Sequence, residues 1–171
     1  MTPTNLLEVF FIAASPIVEL RGAIPIAIKI YHIPWPFAFL IAFAGNLLPV
    51  PFLLLLLGPL SKLAGRIRVL GKMLDWIFER SRRQGGIVEK YKMIGLVLFV
   101  AVPLPGTGAW TGSIVAFLSG LGFRRAFLAI VAGVFLAGVI VTALTLIGWV
   151  GALIAGIGSA ILIIHRLQKT T

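Results

Sequence analysis

Three stretches of this chain, Pro34 to Leu60, Met93 to Leu118 and Ala126 to Ile164, contain no charged residue. Each reaches or exceeds the ~20 residues with which a helix crosses ~30 Å of hydrocarbon. A composition of 60% hydrophobic and 12% charged residues lies outside the balance of a soluble domain. The reading is an all-α integral membrane protein, one membrane domain over residues 1–171, with no room for a second, soluble one.

The remaining apolar blocks are not ordinary spans. Asn5 to Ala14 and Ile17 to Tyr31 are too short to cross, and the second contains Glu19, Arg21 and Lys29. Together they predict a re-entrant helical hairpin that enters and leaves on one side. Asn46, Pro49 and Pro51 fall midway through Pro34 to Leu60 and predict a kink or local unwinding. Pro103-Leu-Pro-Gly-Thr-Gly-Ala-Trp110-Thr-Gly112 sits in the middle of the fourth block, where two prolines and three glycines oppose a straight helix. The last block is interrupted at Gly148-Trp149-Val150-Gly151.

The charges orient these segments. Of 15 Lys and Arg, nine lie between Lys62 and Lys92, opposed only by Asp75, Glu79 and Glu89. That is the excess of a cytoplasmic loop. Within it Leu63, Ile67, Leu70, Leu74 and Ile77 follow helical spacing and predict an amphipathic helix on the membrane surface. If the fourth block turns back at Pro105-Gly106, then Arg124, Arg125, Arg166 and Lys169 are cytoplasmic too, which favours a second re-entrant hairpin.

Aligning Pro16 with Pro103 gives each half a half-helix, a polar turn, a second half-helix, an interfacial break and a full span, with Gly45 near Gly133. The resulting plan is an inverted repeat: repeat one over 4–60, the cytoplasmic linker over 61–92, repeat two over 93–147 and a final transmembrane helix over 149–165. The membrane is the cytoplasmic (plasma) membrane, with the C-terminus cytoplasmic and the N-terminus external. Met1 to Glu8 has no basic n-region and the first apolar stretch runs into Ser15-Pro16, so no cleavable leader is expected.

Ionisable residues at membrane depth are costly and usually functional. Glu19 and Arg21 therefore head the candidate site. Gly22 to Pro25 look like the first turn of a half-helix, and Gly106-Thr107-Gly108 precede another that contains Trp110. Two helix N-termini, Arg21 and the Thr107 hydroxyl are expected to converge on one anionic group. Glu19 would carry a coupling proton, with desolvation and Arg21 acting on it in opposite senses. Asn46 beside Pro49 either completes the site or makes a helix-helix hydrogen bond. Pro105 and Gly106 form the turn itself.

Several function classes are excluded or disfavoured. Cysteine is absent, so no disulfide or thiolate site exists, and His32 and His165 lie far apart near predicted interfaces, so no metal or other cofactor is expected. No paired carboxylates, nucleophile elbow or phosphate loop suggests an enzyme. The basic stretch has no reading module beside it, so no nucleic-acid partner is expected.

Glu19-Leu-Arg21-Gly22-Ala-Ile-Pro25, Gly45-Asn46-Leu-Leu-Pro49-Val-Pro51 and the Pro103 to Gly112 turn, in that order over most of the chain, resemble the small multidrug export protein family. That family is similar to the DedA superfamily, which includes the lipid scramblases with the VTT domain. The resemblance implies paired re-entrant hairpins in inverted repeat and movement of a polyprenyl phosphate such as undecaprenyl phosphate. DedA-like proteins carry arginines around the second hairpin, where this chain has Gly108 and Trp110.

The expectation is a DedA-like secondary transporter or flippase that moves an anionic, phosphate-bearing lipid headgroup, with protons as coupling ion. Its partners are the lipid bilayer and that substrate, and small-residue faces are compatible with a homodimer. Two readings stay open beside it: a proton-coupled exporter of small cationic drugs using Glu19 as counter-charge, and a non-transporting membrane scaffold.

Overall fold

The computed structural model describes residues 2–64, 86–104 and 106–148. Most of the amphipathic linker, Pro105 and the final predicted helix over 149–165 lie outside the described residues.

All regular elements among the described residues are helical. Helix α1 (Pro3–Ala14) starts where the Thr2 hydroxyl accepts the Asn5 N–H at 3.4 Å and Pro3 presets the first turn. Helix α2 (Glu19–Pro25) follows a short turn and passes into one π-helical turn, Ile26–Ile30. Pro25 lacks an N–H, and just beyond it the ladder widens: the Tyr31 N–H reaches Ile26 O at 3.1 Å. The expectation that Pro25 opens a half-helix at Gly22 is thereby corrected. The helix opens at Glu19, and Pro25 ends its α-helical part.

Helices α3 (Trp35–Leu47) and α4 (Pro49–Ala64) are the two parts of the Pro34 to Leu60 block, divided at Leu48 beside the proline pair as the sequence predicts. Helix α5 (Gly86–Ala101) leads to the Pro103 to Gly108 turn, and α6 (Ala109–Leu118) leaves it. Helix α6 ends at Gly120, φ +69°, where the Leu121 N–H closes on Ala116 O. Helix α7 (Phe123–Ile147) is the longest and stops at Gly148, φ +81°.

Two helical stretches, Trp35–Leu57 and Phe123–Ile147, are long and apolar enough to cross a membrane. The packing is arranged for lipid rather than water. Small residues fill the interior, among them Ala13, Ala23, Ala42, Ala109, Ala116 and Ala137, while Phe11, Leu40, Phe52, Leu98 and Leu128 point outward. Without a hydrophobic drive between helices, close approach of small residues supplies the contact. A Cβ at Gly45 would run into the Phe10 carbonyl of α1, and one at Gly133 would stand 2.7 Å from Val100 of α5. Gly138 admits the Phe39 ring, which also meets Phe135 edge-on.

This packing places α1 along α3 and α5 along α7. Helix α2 reaches across to α7, and α6 reaches across to α4. The turn before α2 and the turn before α6 meet between the halves.

Candidate functional site

The meeting of the two turns is organised by three side chains, each bonded to the backbone of the opposite hairpin. Glu19 begins α2 at φ +53°, an uncommon conformation for a residue with a side chain, and is only 6% exposed. Its carboxylate accepts the Trp110 N–H at 3.4 Å and the Ala109 N–H, the first free amides of α6. An anionic oxygen at that position complements both the unpaired donors and the positive end of the helix dipole.

Arg21 treats the other side of the same turn. Its guanidinium donates to the Leu104 carbonyl, to the Thr107 hydroxyl at 3.0 Å and to the Val102 carbonyl at 3.4 Å. These carbonyls lie just past the end of α5 and also accept from the turn itself, Val102 O from the Leu104 N–H at 2.8 Å and Leu104 O from the Thr107 N–H at 3.3 Å. The Arg21 Nε is buried without a partner. Trp110 completes the clasp in the reverse direction, its indole N–H donating to Ala14 O at the end of α1, 3.1 Å away.

The glycines of the turn are matched to this arrangement. At Gly108 any Cβ would occupy the space of the Glu19 carboxylate, and Gly106 sits at φ +84°. Gly22 leaves room for the Val18 side chain, and its N–H closes on Val18 O at 3.3 Å.

A cavity of about 350 Å³ opens beside the clasp, bordered by Pro16, Glu19, Arg21, Pro103, Gly108 and Thr111 among others. A second, of about 390 Å³, lies against Arg21, Pro25, Lys29, Pro103, Leu144 and Thr145. Arg21 and Pro103 border both.

Most of the predicted site residues are thus brought together: Glu19, Arg21, Gly106, Thr107, Gly108 and Trp110. Of the groups expected to converge on an external anion, the α6 N-terminus is met in the structure by Glu19 and the Thr107 hydroxyl by Arg21. Helix α2 has seven residues, too short a dipole to form the second N-terminus of that scheme. Pro25 borders the second cavity rather than the tip. Asn46 borders neither cavity; it is fully buried in α3 with both amide atoms unpartnered. Pro105 lies outside the described residues. Lys29 and Thr111 border cavities but were not among the predicted site residues. The spacing Arg21, Pro25, Lys29, one residue every four, is the signal that places Lys29 on the face of Arg21.

Neither a curated protein nor a solved structure matches the chain. A family model does, over residues 19–140, and its description reads "Putative small multi-drug export protein". The matched segment begins at Glu19 and takes in Arg21, the turn before α6 with Trp110, and most of α7, and the chain belongs to this small multi-drug export family.

Proposed function

We propose that the chain is a secondary membrane transporter of DedA-like type, which passes an anionic, phosphate-bearing lipid headgroup between its two hairpin tips. The observation that carries this reading is Arg21: a guanidinium with a buried, unpartnered Nε that borders both cavities. Guanidinium is the side chain best shaped to hold a phosphate.

Glu19 supplies the coupling. As a carboxylate it holds the α6 amides in place of a substrate. A proton on Glu19 weakens that hold, and an incoming headgroup oxygen takes the Ala109 and Trp110 N–H groups in its stead. Loss of the proton reverses the exchange and expels the headgroup. One proton is thereby linked to one anion, and no bond is made or broken.

An inverted repeat of re-entrant hairpins fits this mechanism, with the site between the repeats. It is supported by parallel packing in the halves. Gly45 of α3 lies against α1 as Gly133 of α7 lies against α5, and α2 crosses to α7 while α6 crosses to α4. The basic stretch from Lys62 to Lys92 supports the orientation in this proposal, with that loop and the C-terminus on the cytoplasmic side of the plasma membrane and the N-terminus external.

A second reading, export of small cationic drugs against protons, is favoured by the family description and by the Glu19 carboxylate at the edge of the 350 Å³ cavity. One experiment separates the two. Translocation of a fluorescent polyprenyl phosphate is followed in proteoliposomes under two pH gradients, beside accumulation of a cationic dye, for wild type, Glu19→Gln and Arg21→Ala. Lipid movement that needs both residues and follows the gradient supports the leading reading. Dye transport lost in Glu19→Gln but kept in Arg21→Ala, with no lipid movement, replaces it by drug export.

A further inference from the structure

The second cavity has a composition of its own. Arg21 and Lys29 border it from one face of the first hairpin's helix, while Pro25, Val141 and Leu144 supply apolar wall. No acidic residue borders it among the described residues, and Glu19 borders only the cavity at the clasp. Eight residues at ~1.5 Å per residue set the Lys29 and Arg21 backbones ~12 Å apart along the helix axis. Lys29 stands at the exposed end of this line and Arg21 at its half-buried end.

A cavity with two cations, no anion and aliphatic wall selects a ligand that is anionic at one end and apolar behind it. A bare cation is repelled, and a free inorganic anion gains nothing from Val141 and Leu144. Lys29, as a compact and mobile charge, suits first capture; Arg21, with its fixed fork, suits retention at the boundary between the cavities.

We propose that this cavity is an outer binding site for an amphiphilic anion, with Lys29 as the residue that captures the headgroup before it reaches Arg21. The proposal deepens the transport reading and rests on it for direction, but not for the existence of the site.

The test is equilibrium binding of dodecyl phosphate to the full chain in nanodiscs, in competition with inorganic phosphate and with dodecyltrimethylammonium. Proteoliposome transport of the same dodecyl phosphate is measured in parallel. Loss of one cation from an anion site is expected to weaken dodecyl phosphate binding roughly tenfold in Lys29→Gln, with recovery in Lys29→Arg. The half-saturating concentration for transport should rise by the same factor. Wild-type affinity in Lys29→Gln, stronger binding of dodecyltrimethylammonium, or no binding of dodecyl phosphate to wild type would each overturn the site. Inorganic phosphate competing as well as dodecyl phosphate would overturn the amphiphile assignment and identify a free-phosphate site. Binding that depends on Lys29 without any transport would uphold the outer site and sink the transport reading instead.

Discussion

Gly108→Ala tests the clasp without touching a charge. The added methyl would fall on the Glu19 carboxylate, which must then leave the Ala109 and Trp110 amides. Hydrogen bonds to a charged group contribute about 1.5–3 kcal/mol each, and at 3.4 Å the Trp110 bond belongs at the low end of that range. Loss of both, with two amides left unsatisfied in a buried turn, is expected to cost about 3–5 kcal/mol. At about 2–4 °C per kcal/mol for a chain of this size, Tm should fall by roughly 6–20 °C. The assay is thermal unfolding in detergent followed by tryptophan fluorescence, since the chain has no cysteine for thiol dyes. Gly95→Ala is the control: it too adds one methyl to a glycine, but in α5 with nothing within 4 Å of the new carbon. It should be neutral or raise stability by about 0.5–1 kcal/mol. A Gly108→Ala protein that unfolds within about 2 °C of the Gly95→Ala control would refute the placement of Glu19 on α6.

Other changes probe neighbouring parts of the same argument. Trp110→Phe removes the indole donor to Ala14 O but keeps the ring, and should cost about 0.5–1.5 kcal/mol in the same unfolding assay. Asn46→Leu replaces a fully buried amide without partners by an apolar group of similar size; it should stabilise by about 1–3 kcal/mol, and a loss of stability would reveal a partner for Asn46. Tyr31 donates to Glu8 Oε2 at 2.5 Å, which holds the phenol above its ordinary value. This contact contributes stability below pH ~10 that is lost as pH rises through the raised value. Tyr31→Phe should therefore remove part of the alkaline decline in an unfolding series, and an unchanged decline would count against the contact.

Much of this architecture is legible locally. The division of α3 from α4 follows from Pro49 and Pro51, and the turn before α6 from its prolines and glycines, because both residue types act on their own backbone. That Glu19 and Arg21 stand at the centre also follows from sequence, since charge is expensive in apolar surroundings. Their partners are not legible in this way. The amides that meet Glu19 lie some ninety residues on, and the carbonyls that meet Arg21 are backbone groups that every residue type carries. Spacing marks Gly108 as a turn glycine, but only the assembled fold shows that it yields its space to a carboxylate. The start of α2 at Glu19 rather than Gly22 was hidden for the same reason. A residue at φ +53° is held there by tertiary contacts that propensity does not contain.

The two charges answer a problem that a hairpin tip poses wherever water is scarce. A chain that turns back between two helices leaves unpaired carbonyls behind it and unpaired amides ahead, and hydrocarbon satisfies neither. Glu19 offers only acceptors and meets the amides of α6; Arg21 offers only donors and meets the carbonyls after α5. Exchanging the two would leave every bond unmade, so the order of the charges in the chain is set by the direction of the second hairpin. On the proposed anion-transport reading, the site is already filled by the protein's own groups. A substrate anion would then have to displace Glu19 and recruit Arg21, and its net affinity would be what remains after the clasp is broken. Changes that loosen the clasp should then lower stability and tighten anion binding together, since both draw on the same hydrogen bonds.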